Sequence, residues 1–209
     1  WEDGHKPSAA PGLKISAFAS GLKHPRWMEV LPNGDVAVSE ARFEPGVPAT
    51  SLFEFAIQST MRRAAALGDS PNRITLLRDR DGDGVAEERF MFLENQQQPF
   101  GMALLDGTFY VGNADALLAF DYALGDTKLE RNKRKLVDFK PGGHWTRSLL
   151  LSTDRTKIYA GVGSLSNIAD DGMEAEKGRA CIYEVDLKTG SSRIFASGLR
   201  NPVGLAWEP

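Results

Sequence analysis

Residues 192–209 read SRIFASGLRNPVGLAWEP, and residues 15–32 read ISAFASGLKHPRWMEVLP. In both, Phe-Ala-Ser-Gly-Leu is followed by a basic residue, a polar residue and Pro, in one register. Self-similarity across so long a separation marks a repeat fold. Working outward, the same frame recurs twice between these copies. Residues 92–105 read FLENQQQPFGMALL and run into DGTFYVGNAD; residues 137–151 read VDFKPGGHWTRSLLL and run into STDRTKIYAGVGS. Each copy has an apolar lead, a polar corner, an apolar strand, a turn (32–35, 106–107, 152–154) and a second apolar strand. Strand, turn and strand at regular intervals predict stacked antiparallel blades, the pattern of an all-β propeller.

The alignment puts His24, Gln98, His144 and Asn201 in one column. The step from Gln98 to His144 is that of one blade, roughly 40 to 50 residues; the other two are longer and carry insertions. Since the first strand of each blade lines the central channel, equivalent corners are expected to converge on one channel mouth. A turn residue chosen only for backbone hydrogen bonding is the competing reading of the column. Within it, His144 and Asn201 stand out, together with Arg200 next to Asn201 in sequence. Histidine is a proton acceptor near neutral pH, and arginine brings a permanent charge and a planar fork of donors.

Composition narrows the classes. The 209 residues are 42% hydrophobic and 25% charged, ordinary for a globular protein with a sizeable core. A net charge of −3 argues against a general nucleic-acid surface. No apolar run approaches the ~18 residues of a membrane helix, and no signal-peptide pattern is visible. Cys181 is alone and sits in an apolar strand, which predicts a small core residue rather than a disulfide or zinc ligand.

Two stretches interrupt the β pattern. Residues 51–67 begin with Ser51 and Glu54 at capping-box spacing, carry apolar residues at helical spacing and stop before Gly68; they predict one amphipathic helix inserted between strands and packed on the blade rim. Asp79, Asp81 and Asp83, with Gly84 at the sixth position, match the first half of a calcium loop, but its twelfth position is Phe90 rather than a bidentate Glu. A solvated Asp-Gly turn and a structural calcium site both remain open. Residues 1–12 are expected to be a flexible lead and 13–209 a partial propeller. The long polar loop 161–178 is of the kind that carries function.

Five stretches together resemble the sorbosone dehydrogenase family, relatives of quinoprotein glucose and aldose sugar dehydrogenases: RITLLRDRDGDGVAEERF (73–90), PFGMAL (99–104), HWTRS (144–148), GSLSNIADDGMEAEKGRA (163–180) and GLRNPVGLAWEP (198–209). The resemblance implies a six-bladed β-propeller holding pyrroloquinoline quinone (PQQ) with calcium, outside the cytoplasm (periplasmic or secreted). It implies oxidation of a sugar or sugar-derived aldehyde by hydride transfer, with His144 as general base, Arg200 and Asn201 on the quinone, and a cytochrome or quinone as electron acceptor. Arg200 would also stabilise the reduced oxyanion. Gln98, with Gln96 as its rival, is a further cofactor candidate, and Asp79, Asp81 and Asp83 are the metal candidates. The chain departs from the pattern at Gly143, where relatives carry a second His or an Asp, and at Arg147 and Ser148, where they often carry Lys and Asn.

Two other classes stay in view: a calcium-dependent lactonase or hydrolase, which needs several carboxylate or amide ligands facing the channel, and a non-catalytic binding propeller. The chain is expected to hold about three and a half blades, its fourth hairpin cut after one strand. The remainder would come from further sequence or another chain, and this length by itself would bind quinone poorly.

Overall fold

A computed structural model describes residues 6–43, 51–64 and 67–208. Residues 1–5, the first part of the expected lead, lie outside the described residues. The first sheet comprises β1 (Pro25–Val30), β2 (Val36–Glu40), β3 (Arg73–Arg78) and β4 (Glu88–Leu93); the second β5 (Met102–Leu105), β6 (Thr108–Gly112), β7 (Ala116–Asp121) and β8 (Arg134–Asp138); the third β9 (Leu149–Leu151), β10 (Lys157–Val162), β11 (Cys181–Asp186) and β12 (Ser192–Ser197). Each sheet is a four-stranded meander in chain order, and every pairing is antiparallel. The first strands are neighbours, with β5 between β1 and β9.

Strand β7, ALLAFD, is buried at five positions in succession because sheets cover both its faces. Its period-2 alternation divides it between two cores. Leu118 and Phe120 join Phe109, Val111, Ile74, Leu76 and Phe92 between the first and second sheets. Leu117 and Ala119 join Tyr110, Ile158, Val162, Cys181 and Val185 between the second and third. Phe92 meets Phe109 edge-on at 5.3 Å. The β5–β6 hairpin turns on Asp106 and Gly107 at φ 46° and 75°; two central residues with positive φ fit the twist of the flanking strands.

Ion pairs close both ends of the β2–β3 ladder. At one end Arg78 holds Asp35 with two bonds of 2.7 Å. At the other, the wholly buried Glu40 accepts from Arg73 Nε at 2.8 Å, from Thr75 Oγ1 at 2.5 Å and from the Lys23 amide. Burial pushes the Glu40 carboxyl up, but these bonds outweigh it, so it sits below the ordinary carboxylate range. Asp35 is held low in the same way, burial being outweighed by Arg78 and Asn33.

The inserted helix, α1 (Leu52–Arg63), is shorter than the expected 51–67. Leu67 leaves it to form a parallel bridge with Phe43 and is 2% exposed, its carbonyl accepting from Arg42 at 3.3 Å. That apolar contact outweighs another helical turn. Leu52 is 89% exposed and Phe55 is exposed too, so part of the helix's apolar face points to solvent rather than onto the sheets. Among the described residues no helix is long and apolar enough to cross a membrane.

Candidate functional site

The corners lie at the end of the sheets marked by Glu40. Each adopts a strained or stitched backbone suited to leaving one sheet for the next. His24 and Gln98 have φ of 54° and 48°. The third corner is stitched instead: the His144 amide donates to Ser164 O at 2.9 Å, and the Ser164 amide donates to Arg200 O at 2.8 Å. These two bonds place three segments, 144, 164 and 200, side by side.

Gly163 makes the packing possible. A Cβ there would stand 2.4 Å from the Cβ of His144 and 2.6 Å from Asn201 Oδ1, closer than van der Waals contact allows. Asn201 Oδ1 also accepts from Thr146 Oγ1 at 3.1 Å. His144 and Asn201 therefore share an open cleft of about 490 Å3, whose walls include Trp145, Asn167, Asp170, Phe43 and Met61 of α1. Beneath it Trp145 packs edge-on against Phe100 at 6.0 Å, and Phe100 against Trp27 at 5.5 Å; Trp27 lies in β1, and the other two rings lie in the segments that lead into β5 and β9.

Arg147 anchors the His144 corner from below. It is 0% exposed and donates to the carbonyls of His144 (2.8 Å), Thr146 (3.0 Å) and Lys140 (2.9 Å). Burial, with Arg179 nearby, brings its pKa down to about 10. Carbonyl oxygens, rather than a carboxylate, accept from its two terminal nitrogens, while its Nε is buried without a partner. At Gly143 the backbone has φ +62°, and a Cβ would meet Leu165 O at 2.3 Å. The departure from His or Asp at this position thus has a steric cause: loop 164–165 occupies the space.

The other candidates fall elsewhere. Arg200 lies next to Asn201 in sequence, but its guanidinium is engaged by Asn167, through the side-chain oxygen and, at 3.3 Å, the carbonyl. It lines an adjoining cavity of about 610 Å3, and Ser166 and Asn167 border both cavities. Gln98 is 6% exposed and does not line the His144 cleft; its amide donates to Arg42 O at 2.9 Å and its backbone to Asn72 Oδ1 at 3.0 Å. Gln96 is spent on Glu94 O and on Asn113. His24 is held below its ordinary pKa by burial, Arg42 and Arg26.

Asp79, Asp81, Asp83 and Glu87 come together, each offering an oxygen within 4.8 Å of the others. They follow β3 at its Arg78 end, opposite the corner column. Asp79 accepts from the amides of Gly82 (2.7 Å) and Gly84 (2.9 Å), with the Gly84 bond leading the causes that hold its carboxyl low.

Sequence reasoning missed Gly163, Ser164, Asn167 and Trp145. The long-loop signal pointed to the right segment, and the Gly-Ser pair where β10 ends was the nearest clue to its role.

The family model described as TrAA12-like matches residues 69–209, about two-thirds of the chain. No curated protein matches by sequence. Several solved structures do match by fold. The holo PQQ domain of pyranose dehydrogenase from Coprinopsis cinerea superposes with a TM-score of 0.69 at 19% identity, over 93% of this chain and 43% of that one. The calcium structure of a family AA12 carbohydrate-active enzyme from Trichoderma reesei gives 0.71 at 19% identity, over 95% and 46%. The PQQ-bound aldose sugar dehydrogenase from Streptomyces coelicolor gives 0.52 at 17%, over 83% and 47%. The chain thus spans a little under half the length of these structures.

Proposed function

We propose, on the premise that this chain belongs to the TrAA12-like family, that it forms part of a PQQ-dependent dehydrogenase acting on a sugar or sugar-derived aldehyde, the sorbosone type included. The observation that supports this most is the shared cleft of His144 and Asn201, with Arg200 stitched to the same corner through Ser164. In this reading the three sheets are half of a six-bladed ring, further blades supply the rest of the cleft wall, and the protein works outside the cytoplasm with a cytochrome or quinone as electron acceptor.

The residues present fit the quinone. The cleft lies within the usual size range for a small-molecule site, about 300 to 1,000 Å3. Trp145, Phe43 and Met61 give it apolar walls, and Asn201, whose NH2 group has no hydrogen-bond partner among the described residues, lines it. Bound there, PQQ supplies a carbonyl carbon that accepts hydride. His144 takes the proton of the substrate hydroxyl at its unbonded ring nitrogen. Asn201 would help to hold the quinone, its NH2 group being free to donate. Arg200, once turned from Asn167, places its fork of donors against a carboxylate or the developing oxyanion. Trp145 and Phe43 exclude water from one side.

Calcium fits the Asp79–Asp83 loop. Oxygens within 4.8 Å of one another can share one ion at the ~2.3–2.6 Å typical of calcium. Placed at the far end of the first sheet, such an ion braces the β3–β4 connection and takes no part in the chemistry. The lactonase reading is weaker, because Asp170 is the one carboxylate lining the cleft among the described residues.

Turnover of the quinone-loaded, full-length protein with a dye acceptor, over a panel of aldoses and 2-ketoaldoses, tests the proposal. His144→Ala should lower turnover by ~10² to 10⁴-fold, the usual loss on removing a general base. Near-normal turnover in that variant would remove His144 from the mechanism.

A further inference from the structure

Among the described residues, the imidazole of His144 is held by Ser164 and by no carboxylate. Its Nδ1 lies 3.1 Å from Ser164 O and 3.1 Å from Ser164 Oγ. A bare Nδ1 would face the carbonyl lone pairs at hydrogen-bonding distance with no proton between them. A protonated Nδ1 donates to both oxygens. The carbonyl has two acceptor sites, and one already takes the His144 amide at 2.9 Å. The hydroxyl proton is spent elsewhere: Ser164 Oγ donates to Ser166 O at 2.6 Å. Its oxygen is therefore left as an acceptor towards the ring.

Ser166 is fixed in turn. Glu176, 8% exposed, accepts from the Leu165 amide at 2.8 Å and the Ser166 amide at 3.3 Å. Ser166 Oγ accepts from the Asp170 amide at 2.8 Å. Loop 164–178 is thereby folded so that one carbonyl, Ser166 O, points at the Ser164 hydroxyl.

We propose that Glu176, Ser166 and Ser164 form a hydrogen-bonded chain that fixes His144 as the Nδ1–H tautomer and leaves Nε2, which has no partner among the described residues, as the basic nitrogen. Histidine tautomers are set by the bond the other nitrogen makes, commonly to a carbonyl or carboxylate. Here a neutral serine does this, and the carboxylate acts one step removed, on the loop backbone. Ser164 and Glu176 are positioning residues. The importance of a bare Nε2 rests on the proposed function; the tautomer itself does not.

The test is long-range 1H–15N correlation of the histidine rings in the 209-residue chain at about pH 9, above the ordinary histidine range. With three histidines in the sequence, a His144→Gln spectrum assigns the ring. The expected result is a protonated-type Nδ1 and a bare-type Nε2 for His144, shifting towards a mixture of the two forms in Ser164→Ala and Glu176→Ala, and restored in Ser164→Thr. Amide shifts of the second sheet, unchanged in each variant, show that the fold is intact; should Glu176→Ala unfold, Glu176→Gln takes its place with the same expectation. An Nε2–H tautomer in the parent protein overturns the proposal. So does an unaltered tautomer in both positioning variants, which would leave the backbone carbonyl as its sole determinant. The spectra need no quinone, so failure of the dehydrogenase reading would be seen separately, as His144-independent turnover.

Discussion

A Cβ placed on Gly163 would stand 2.4 Å from the Cβ of His144. The glycine is there for space rather than for a left-handed backbone, and Asn201 crowds it from the other side. Gly163→Ala is expected to push the two corners apart. Overpacking of this kind costs about 1–3 kcal/mol, readable as a lower urea midpoint. Quinone affinity should fall with it, whereas Gly190→Ala, at an open turn with nothing within 4 Å, should leave quinone affinity unchanged.

The Glu40–Arg73 and Asp35–Arg78 pairs make stability depend on acid. Both carboxyls are held below their ordinary values in the folded chain. Their contribution is fully present above the unfolded carboxylate range, about pH 4, and is lost as pH falls through the depressed folded values. Arg73→Met leaves a buried carboxylate without its main partner and should cost about 3–5 kcal/mol at neutral pH. Denaturant midpoints measured across the acid range should show Glu40→Gln with a shallower acid slope than the parent.

Much of this fold was legible in the repeats, and the exceptions have physical causes. The turn residues at 106–107 and the apolar stretches on either side of them located β5 and β6. The copies at residues 15–32 and 192–209, however, part company. Residues 192–197 form β12 because β11 lies alongside; residues 15–20, which share Phe-Ala-Ser in the same register, form no strand, since no sheet edge pairs with them among the described residues. A strand needs a partner as well as a pattern. Likewise the corner column grouped His144, Asn201 and Gln98 together, although only the first two line the cleft, because a turn residue and a cleft residue look alike in sequence. Which loop would fill the space beside Gly143 was not readable at all: that contact joins residues 143 and 165 through the tertiary fold.

Gln98 and Asn201 give a direct contrast. Gln98 is occupied with Arg42 O, so Gln98→Ala should cost about 1 kcal/mol of stability, the worth of a typical hydrogen bond, and leave quinone affinity intact. Asn201→Ala should weaken quinone binding with little loss of stability. Paired melting curves and quinone titrations of the two variants check this; equal loss of affinity would return Gln98 to the site.

Calcium should act at a distance from the cleft. Terbium luminescence or calorimetry is expected to report one calcium-competitive site, abolished by Asp79→Ala together with Asp81→Ala. Chelation should lower the melting temperature of the parent and not that of the double variant. Quinone affinity should be the same in both; a calcium requirement for quinone binding that follows Asp79 would contradict the bracing role.

The central claim is that the cleft of His144 and Asn201 receives the quinone. It is tested most directly by titrating the 15N-labelled 209-residue chain with PQQ and following each amide and side-chain resonance. Shifts are expected to concentrate on His144, Trp145, Asn167, Arg200 and Asn201, with the Asp79–Asp83 loop unmoved, even where binding is weak. Shifts centred elsewhere, or none in the cleft at millimolar quinone, would contradict it.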